Sequence, residues 1–296
     1  MTSGLQLEKS QSESAVRLPQ RTSKDRSQFL RVLRRHVERL GIDVSARVLV
    51  VGGMPEDAEV LRQCGFTRIT LSNIEGTTDG GQTSGEFPIQ ALDAEDIHLP
   101  DRAFDIVVVH EVIHHCRCPH RALCEMLRVA KDYVILMEPN DSAVMRGLGR
   151  LHLSFPFEIF AVVGNDYVCG GVRNSQIPNF IYRWNAHEVY KAASSFLAER
   201  MFVVHAHPYW DFNVEEKDLA CRKQTKIGLI TRVIGAGNFI RLLKVAQTVF
   251  NWVPALSRQG NKFFCCIEKS SQLRPWLVQD GAGEVVFDRS FQSKFD

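Results

Sequence analysis

Apolar and polar positions along this chain alternate between two rhythms. Ser27 to Leu40 repeats at helical spacing, with Leu30, Leu33, Val37 and Leu40 on one face, and Gly41 ends the run. Arg47 to Val51 is a short, continuous apolar run, which predicts a buried strand. Gly52-Gly53 then turns into a helix whose expected face is Asp57, Val60, Leu61 and Cys64. Gly65 stops that helix and Arg68 to Leu71 makes a second strand, which completes a βαβ unit.

The same alternation continues downstream. Ile74 to Pro88, with Gly76, Gly80, Gly81 and Gly85, is expected to be a loop, followed by a short strand over Ile89 to Leu92. Phe104 to Val109 is the fourth strand, Pro119 opens a helix with Leu123, Met126, Leu127 and Ala130 inward, and Tyr133 to Met137 is the fifth strand. His187 to Leu197 reads as a helix feeding a strand at Met201 to Ala206, and Gln259-Gly260-Asn261 turns into a last strand at Lys262 to Ile267. Apolar β-branched strands joined by helices are the pattern of a parallel sheet, which binds its ligands beyond the carboxyl ends of its strands.

Polar residues gather at those ends. Asp93-Ala94-Glu95 precedes Leu99-Pro100 and Phe104-Asp105; His110-Glu111-Val112-Ile113-His114-His115 follows the fourth strand; Glu138-Pro139-Asn140 follows the fifth. With the Gly52-Gly53 turn, these segments resemble the class I S-adenosylmethionine-dependent methyltransferases of the small-molecule type. The resemblance implies an α/β Rossmann-like fold: a seven-stranded, mostly parallel sheet with helices on both faces, closed by an antiparallel hairpin. It implies S-adenosyl-L-methionine as cofactor, held by Gly52, Gly53, Asn73, Asp93, Ala94, Glu95 and His110. Asp93 would accept from the adenine amino group, and the Ala94 backbone would meet the ring. Histidine titrates near neutrality, so His110 or His114 is the expected general base, with a structural role in the loop as the alternative. Glu138 is expected either to touch substrate or to cap the next segment.

Two departures from the family pattern support a second reading. Met54 and Pro55 follow Gly52-Gly53 where a third spaced glycine is usual, and Asn73 stands where the family offers the ribose a carboxylate. A non-catalytic protein that keeps the fold as a binding or scaffold module would show such changes. The same departures make a nicotinamide dehydrogenase, whose fingerprint has three spaced glycines and that acid, a weak third reading.

The expected organisation is a core over 25–140, 184–210 and 260–270, a disordered tail at 1–24 and another tail at 271–296. A lid insertion at 141–183 and a helical cap insertion at 211–259 interrupt the core. Phe155, Phe157, Phe160, Tyr167, Phe180, Tyr182 and Trp184 concentrate aromatic surface in or beside the lid, as local core or as a substrate wall. In the cap, Asn238 is expected to start a helix carrying Phe239, Leu242, Leu243, Ala246, Val249 and Phe250, preceded by Arg222, Lys223, Lys226 and Arg232. Such a basic amphipathic stretch either packs on the domain or meets a membrane surface through 222–253.

Composition narrows the class. A net charge of +2 gives no electrostatic footprint for nucleic acid, so a small-molecule or lipid-like acceptor is expected. The eight cysteines form no disulfide framework, and no leader is read at the N-terminus, which together favour the cytoplasm. Cys116 and Cys118, with His114, His115 and His120 nearby, lack a distant partner pair, so no metal site is expected.

Overall fold

The computed structural model describes residues 26–74, 83–84, 87–154, 156–158, 179–214, 219 and 226–291. The expected N-terminal tail, and Phe155, Phe160, Tyr167, Arg222 and Lys223, lie outside the described residues. The elements in order are α1 (Ser27–Leu40), β1 (Arg47–Val51), α2 (Pro55–Gln63), β2 (Arg68–Asn73), β3 (Thr83–Ser84), β4 (Phe87–Ala91) and β5 (Phe104–His110). Then come α3 (Pro119–Val129), β6 (Ala130–Pro139), α4 (Ala143–Arg150), α5 (Ala186–Phe196) and β7 (Arg200–Tyr209). Three helices, α6 (Lys226–Ile234), α7 (Ala236–Trp252) and α8 (Pro254–Ser257), precede β8 (Lys262–Leu273), β9 (Leu277–Gln279) and β10 (Val285–Phe287).

One sheet runs β3-β4-β2-β1-β5-β6-β8-β7. Strands β4, β2, β1, β5 and β6 are parallel, and β8 pairs antiparallel with both β6 and β7. The seven expected strands are all present, and the two-residue β3 adds an edge inside the segment read as a loop. The segment read as a C-terminal tail carries the β9–β10 hairpin, whose apolar residues stay largely exposed.

The central strands are buried on both faces, which is why they read as unbroken apolar runs rather than alternating ones. Leu49 and Val51 of β1 pack with α3 and α5 on one side; Val48 and Val50 pack with α1 and α2 on the other. In α1 the buried face is Phe29, Val32, Leu33, His36 and Val37, with the expected Leu30 and Leu40 partly buried beside it. Asn238 does not cap α7: Gly235, at φ 84°, turns the chain between α6 and α7, and the Asn238 amide donates to the Ile234 carbonyl.

His36 is buried against Phe264, its ring 4.0 Å away, and its Nδ1 lies 2.8 Å from the Val32 carbonyl. Burial, with the charges of His207, Arg39 and Arg35, lowers its pKa to about 4 against the pull of that carbonyl. Between its ordinary value of 6.5 and about 4, the unfolded chain binds a proton that the folded chain refuses. Stability is therefore expected to fall as pH drops through that window. Thermal melts across it should flatten in His36→Leu; an unchanged slope would remove His36 as the cause.

The segment between β7 and β8 leaves and returns at one place. Asn251 Oδ1 accepts from the Trp210 amide at 2.7 Å while its Nδ2 donates to the Trp210 carbonyl at 2.8 Å. Asn261 does the same for Asp211, with both bonds at 2.8 Å.

Candidate functional site

The carboxyl ends of β5 and β6 open onto a cavity of about 950 Å³, whose lining includes Arg26, Phe29, His110, Glu111 and His114 on the sheet side. Ile227, Ile230, Phe239, Leu243, Phe250 and Leu256 of α6–α8 face them across it. The walls are mostly apolar.

Glu138 ends β6 with no exposed surface, and its carboxylate is fully engaged. Oε1 accepts from the Val112 and Ile113 amides at 3.0 and 3.1 Å, and Oε2 lies 2.6 Å from His114 Nδ1. A carboxylate only accepts, so Nδ1 is the donor of that bond, and in the neutral ring Nε2 carries the lone pair. The carboxylate thus holds the turn at the exit of β5 rather than capping the segment that follows it in the chain, which Ser142 caps, and it also orients a histidine.

His110 is the hub of a second cluster. Its ring stacks on Phe29 at 4.1 Å, and its Nδ1 lies 2.8 Å from Arg26 Nη1 and 2.9 Å from Asp57 Oδ1. One nitrogen cannot serve both, so His110 either donates to Asp57 or accepts from Arg26; in both forms Arg26 Nη2 stays 3.2 Å from Asp57. Burial alone would raise the Asp57 carboxyl. The His110 hydrogen bond and charge, the Arg26 charge and the Met54 amide outweigh that and hold it below the usual carboxylate range. Arg26 Nε is buried and has no hydrogen-bond partner among the described residues. An unsatisfied buried donor is costly, and one beside a cavity marks a place for an acceptor.

Glu111 adopts φ 55°, a strained backbone for a non-glycine residue, at the exit of β5. Its carboxylate pairs with Lys262. Burial would lower the Lys262 ammonium, but the Glu111 charge and hydrogen bond, with Asp211 and Glu138, hold it above its usual value.

The other expected site residues, Gly52, Gly53, Asn73, Asp93, Ala94 and Glu95, stand at or after the ends of β1, β2 and β4 and are not part of that cavity's lining. Gly52 sits at φ 62°, where an added Cβ would lie 2.5 Å from Val112 Cγ1; a Cβ on Gly53 would lie 2.6 Å from Val50 Cγ1. Both glycines are thus required by close packing. Asn73 ends β2, and its carbonyl receives the Leu92 amide at 3.0 Å. Asp93 is exposed and accepts from the Glu95 amide at 2.9 Å. Glu95 accepts from the Arg117 and Cys118 amides ahead of α3, at 2.7 and 3.0 Å. Arg128 braces this turn, donating to the Ile97 and Leu99 carbonyls at 2.6 Å. Each of these two carboxylates retains acceptor capacity beyond such bonds.

Histidine and cysteine do not assemble as their spacing along the chain would group them. Among the described residues, His114, His115 and Glu158 each place a donor atom within 4.8 Å of the others. The Cys116 thiol lies outside that group and is pushed up by burial first, then by neighbouring carboxylates, which disfavours the thiolate that a metal needs. His120 instead packs near Trp184 and Tyr182. Trp184 is fully buried core, whereas Phe157 pairs with Phe180 and lines the cavity.

Arg26 was not singled out by the sequence pattern, because nothing across a separation of 84 positions marks it as a partner of His110. Asp57 did leave a signal: a carboxylate at an inward helical position needs a buried partner.

Residues 26–137 match the family described as Methyltransferase domain. That match, over less than half of the chain, and the sheet order above give this part the Rossmann-like methyltransferase fold, a class whose cofactor is S-adenosyl-L-methionine. No curated protein matches the chain. Among solved structures, a putative methyltransferase from an antibiotic biosynthesis pathway of Anabaena variabilis is 14% identical with a TM-score of 0.48, covering 82% of this chain and 99% of that one. A SAM-dependent methyltransferase from Archaeoglobus fulgidus is 14% identical with a TM-score of 0.43, covering 83% and 97%. Magnesium protoporphyrin IX methyltransferase from Synechocystis is 13% identical with a TM-score of 0.42, covering 63% and 77%.

Proposed function

We propose that this protein transfers the methyl group of S-adenosylmethionine to an oxygen or nitrogen of a small amphiphilic acceptor, with His114 as general base. The observation that carries the reading is the Glu138–His114 pair on the wall of the cavity. A buried carboxylate on Nδ1 fixes the tautomer and leaves Nε2 to take a proton, the arrangement by which histidine bases are oriented in other enzymes.

The cofactor fits the residues at its methionine end. The orphaned Nε of Arg26 is a donor for the aminoacyl carboxylate, and the Gly52 turn brings backbone to the same edge. Asn73 would serve the ribose, and Asp93, Ala94 and Glu95 the adenine, with His110 held between Arg26 and Asp57. S-adenosylmethionine supplies an electrophilic methyl on a sulfonium sulfur and leaves as S-adenosylhomocysteine.

His114 Nε2 takes the proton of the acceptor hydroxyl or ammonium, and Glu138 steadies the imidazolium that forms. That proton then passes to solvent. The apolar wall of α6–α8 excludes water and receives the acceptor's non-polar part, so orientation supplies a large share of the acceleration.

Incubation of the protein with methyl-labelled donor and a cell extract, divided into lipid and aqueous fractions, tests this by mass spectrometry. Label is expected in the lipid fraction; none in either, with donor bound, would favour the scaffold reading, to which the tight Gly52–Val112 contact lends weight. Arg26→Met is expected to weaken donor binding by about ten- to a hundredfold, the worth of one charge-assisted hydrogen bond. Titration calorimetry showing unchanged affinity would remove Arg26 from the cradle.

A further inference from the structure

Helix α7 has two apolar faces. Phe239, Leu243 and Phe250 line the cavity, while Leu242, Val245, Val249 and Trp252 follow each other at three- and four-residue steps on the outside. Trp252 is 83% exposed, and Val233 of the neighbouring α6 is 79% exposed. Leu229 and Ile230 of α6 and Leu256 of α8 extend the same exposed set. A soluble surface does not ordinarily carry so many adjacent apolar side chains without a partner.

The charge around this stripe says which partner. From Leu219 to Ile267 the chain has no aspartate or glutamate and eight lysines and arginines. Arg232, Arg241, Lys244 and Arg258 are exposed, and none has an acidic partner among the described residues. A second copy of this chain would place like charges against each other. An anionic bilayer satisfies both features at once: its headgroups neutralise the cations and its acyl boundary receives the apolar stripe, with tryptophan at the interface. No described helix is long and apolar enough to cross a membrane.

We infer that α6–α8 form a docking face for the surface of an anionic lipid bilayer. Ile230 and Leu256 belong both to the cavity lining and to the exposed set, so the cavity's rim lies at that face. An amphiphilic acceptor would pass from the bilayer into the cavity without crossing water. The docking itself does not depend on methyl transfer.

Flotation of the full chain with vesicles tests the inference. Vesicles of phosphatidylcholine with about 30% phosphatidylglycerol are expected to bind the protein about tenfold more tightly than phosphatidylcholine alone, and high salt should release it. Two paired variants, Arg241→Glu with Lys244→Glu and Val245→Ser with Val249→Ser, should each abolish flotation while far-UV circular dichroism and donor binding stay unchanged. Absence of binding to anionic vesicles overturns the inference. So does a concentration-dependent dimer in sedimentation equilibrium that the same variants dissolve, since the stripe would then belong to a second copy. Vesicle binding without methyl transfer would leave the docking face standing and remove the acceptor reading alone.

Discussion

His114→Ala is expected to lower kcat by about 10²- to 10⁴-fold, the usual contribution of a positioned base, while S-adenosylmethionine affinity changes little. The argument is local. Nδ1 of His114 is committed to Glu138 at 2.6 Å, so Nε2 is the only nitrogen of that ring that can receive a proton. Deleting the imidazole also strips one partner from a fully buried carboxylate, at about 1–3 kcal/mol of stability. His114→Gln separates the two effects, because its amide can still donate to Glu138 yet has no basic nitrogen. Both variants should lose turnover, the glutamine form should melt closer to the parent protein, and imidazole in solution should restore part of the alanine variant's rate. Unchanged kcat in the glutamine variant would sink the base assignment.

The largest expected effect on stability lies elsewhere, at Gly260. A Cβ there would lie 2.1 Å from the Tyr209 carbonyl oxygen, 2.3 Å from its carbon and 2.7 Å from the Tyr209 nitrogen. All three atoms are backbone, in a residue paired with Lys262, so no side chain can swing away to make room. The Gly260 carbonyl also accepts from Asn140 Nδ2 at 2.8 Å, which ties the turn to the end of β6. Gly260→Ala is therefore expected to cost about 3 kcal/mol or more, read as a lower urea midpoint with an unchanged slope. Gly147→Ala is the matching control. Its Cβ meets nothing within 4 Å in α4, and it should stabilise by about 0.5–1 kcal/mol through helix propensity. Equal midpoints for the two variants would show that the Tyr209 contact relaxes at little cost.

The central strands were legible in the sequence because burial on both faces writes itself as unbroken apolar runs: Arg47–Val51 and the β5 run are where the pattern puts them. Edges were less legible. The third expected strand lies two residues earlier, at Phe87–Ala91, and its partner β3 is two residues long, too short for any period to register. The last strand continues past Ile267 to Leu273, because pairing with β7 rather than burial sustains its outer half.

At the site, spacing found the histidines but not their partners. Glu138 lies at the end of β6 and His114 just after β5, so only the parallel pairing of those two strands makes them neighbours. Arg26 reaches His110 from a helix on one face of the sheet, a contact that no local pattern encodes. Asp93 and Glu95 follow β4, outside the lining of the cavity, and backbone amides already use part of each carboxylate.

The reciprocal grip of Asn261 on Asp211 and of Asn251 on Trp210 makes the feet of the α6–α8 segment next-door neighbours. An appendage rooted that way is a cassette: recombination can swap it between homologues without re-laying the strands beneath. On the function proposed above, donor chemistry and acceptor choice would then be inherited on separate pieces of the gene, free to diverge at different speeds.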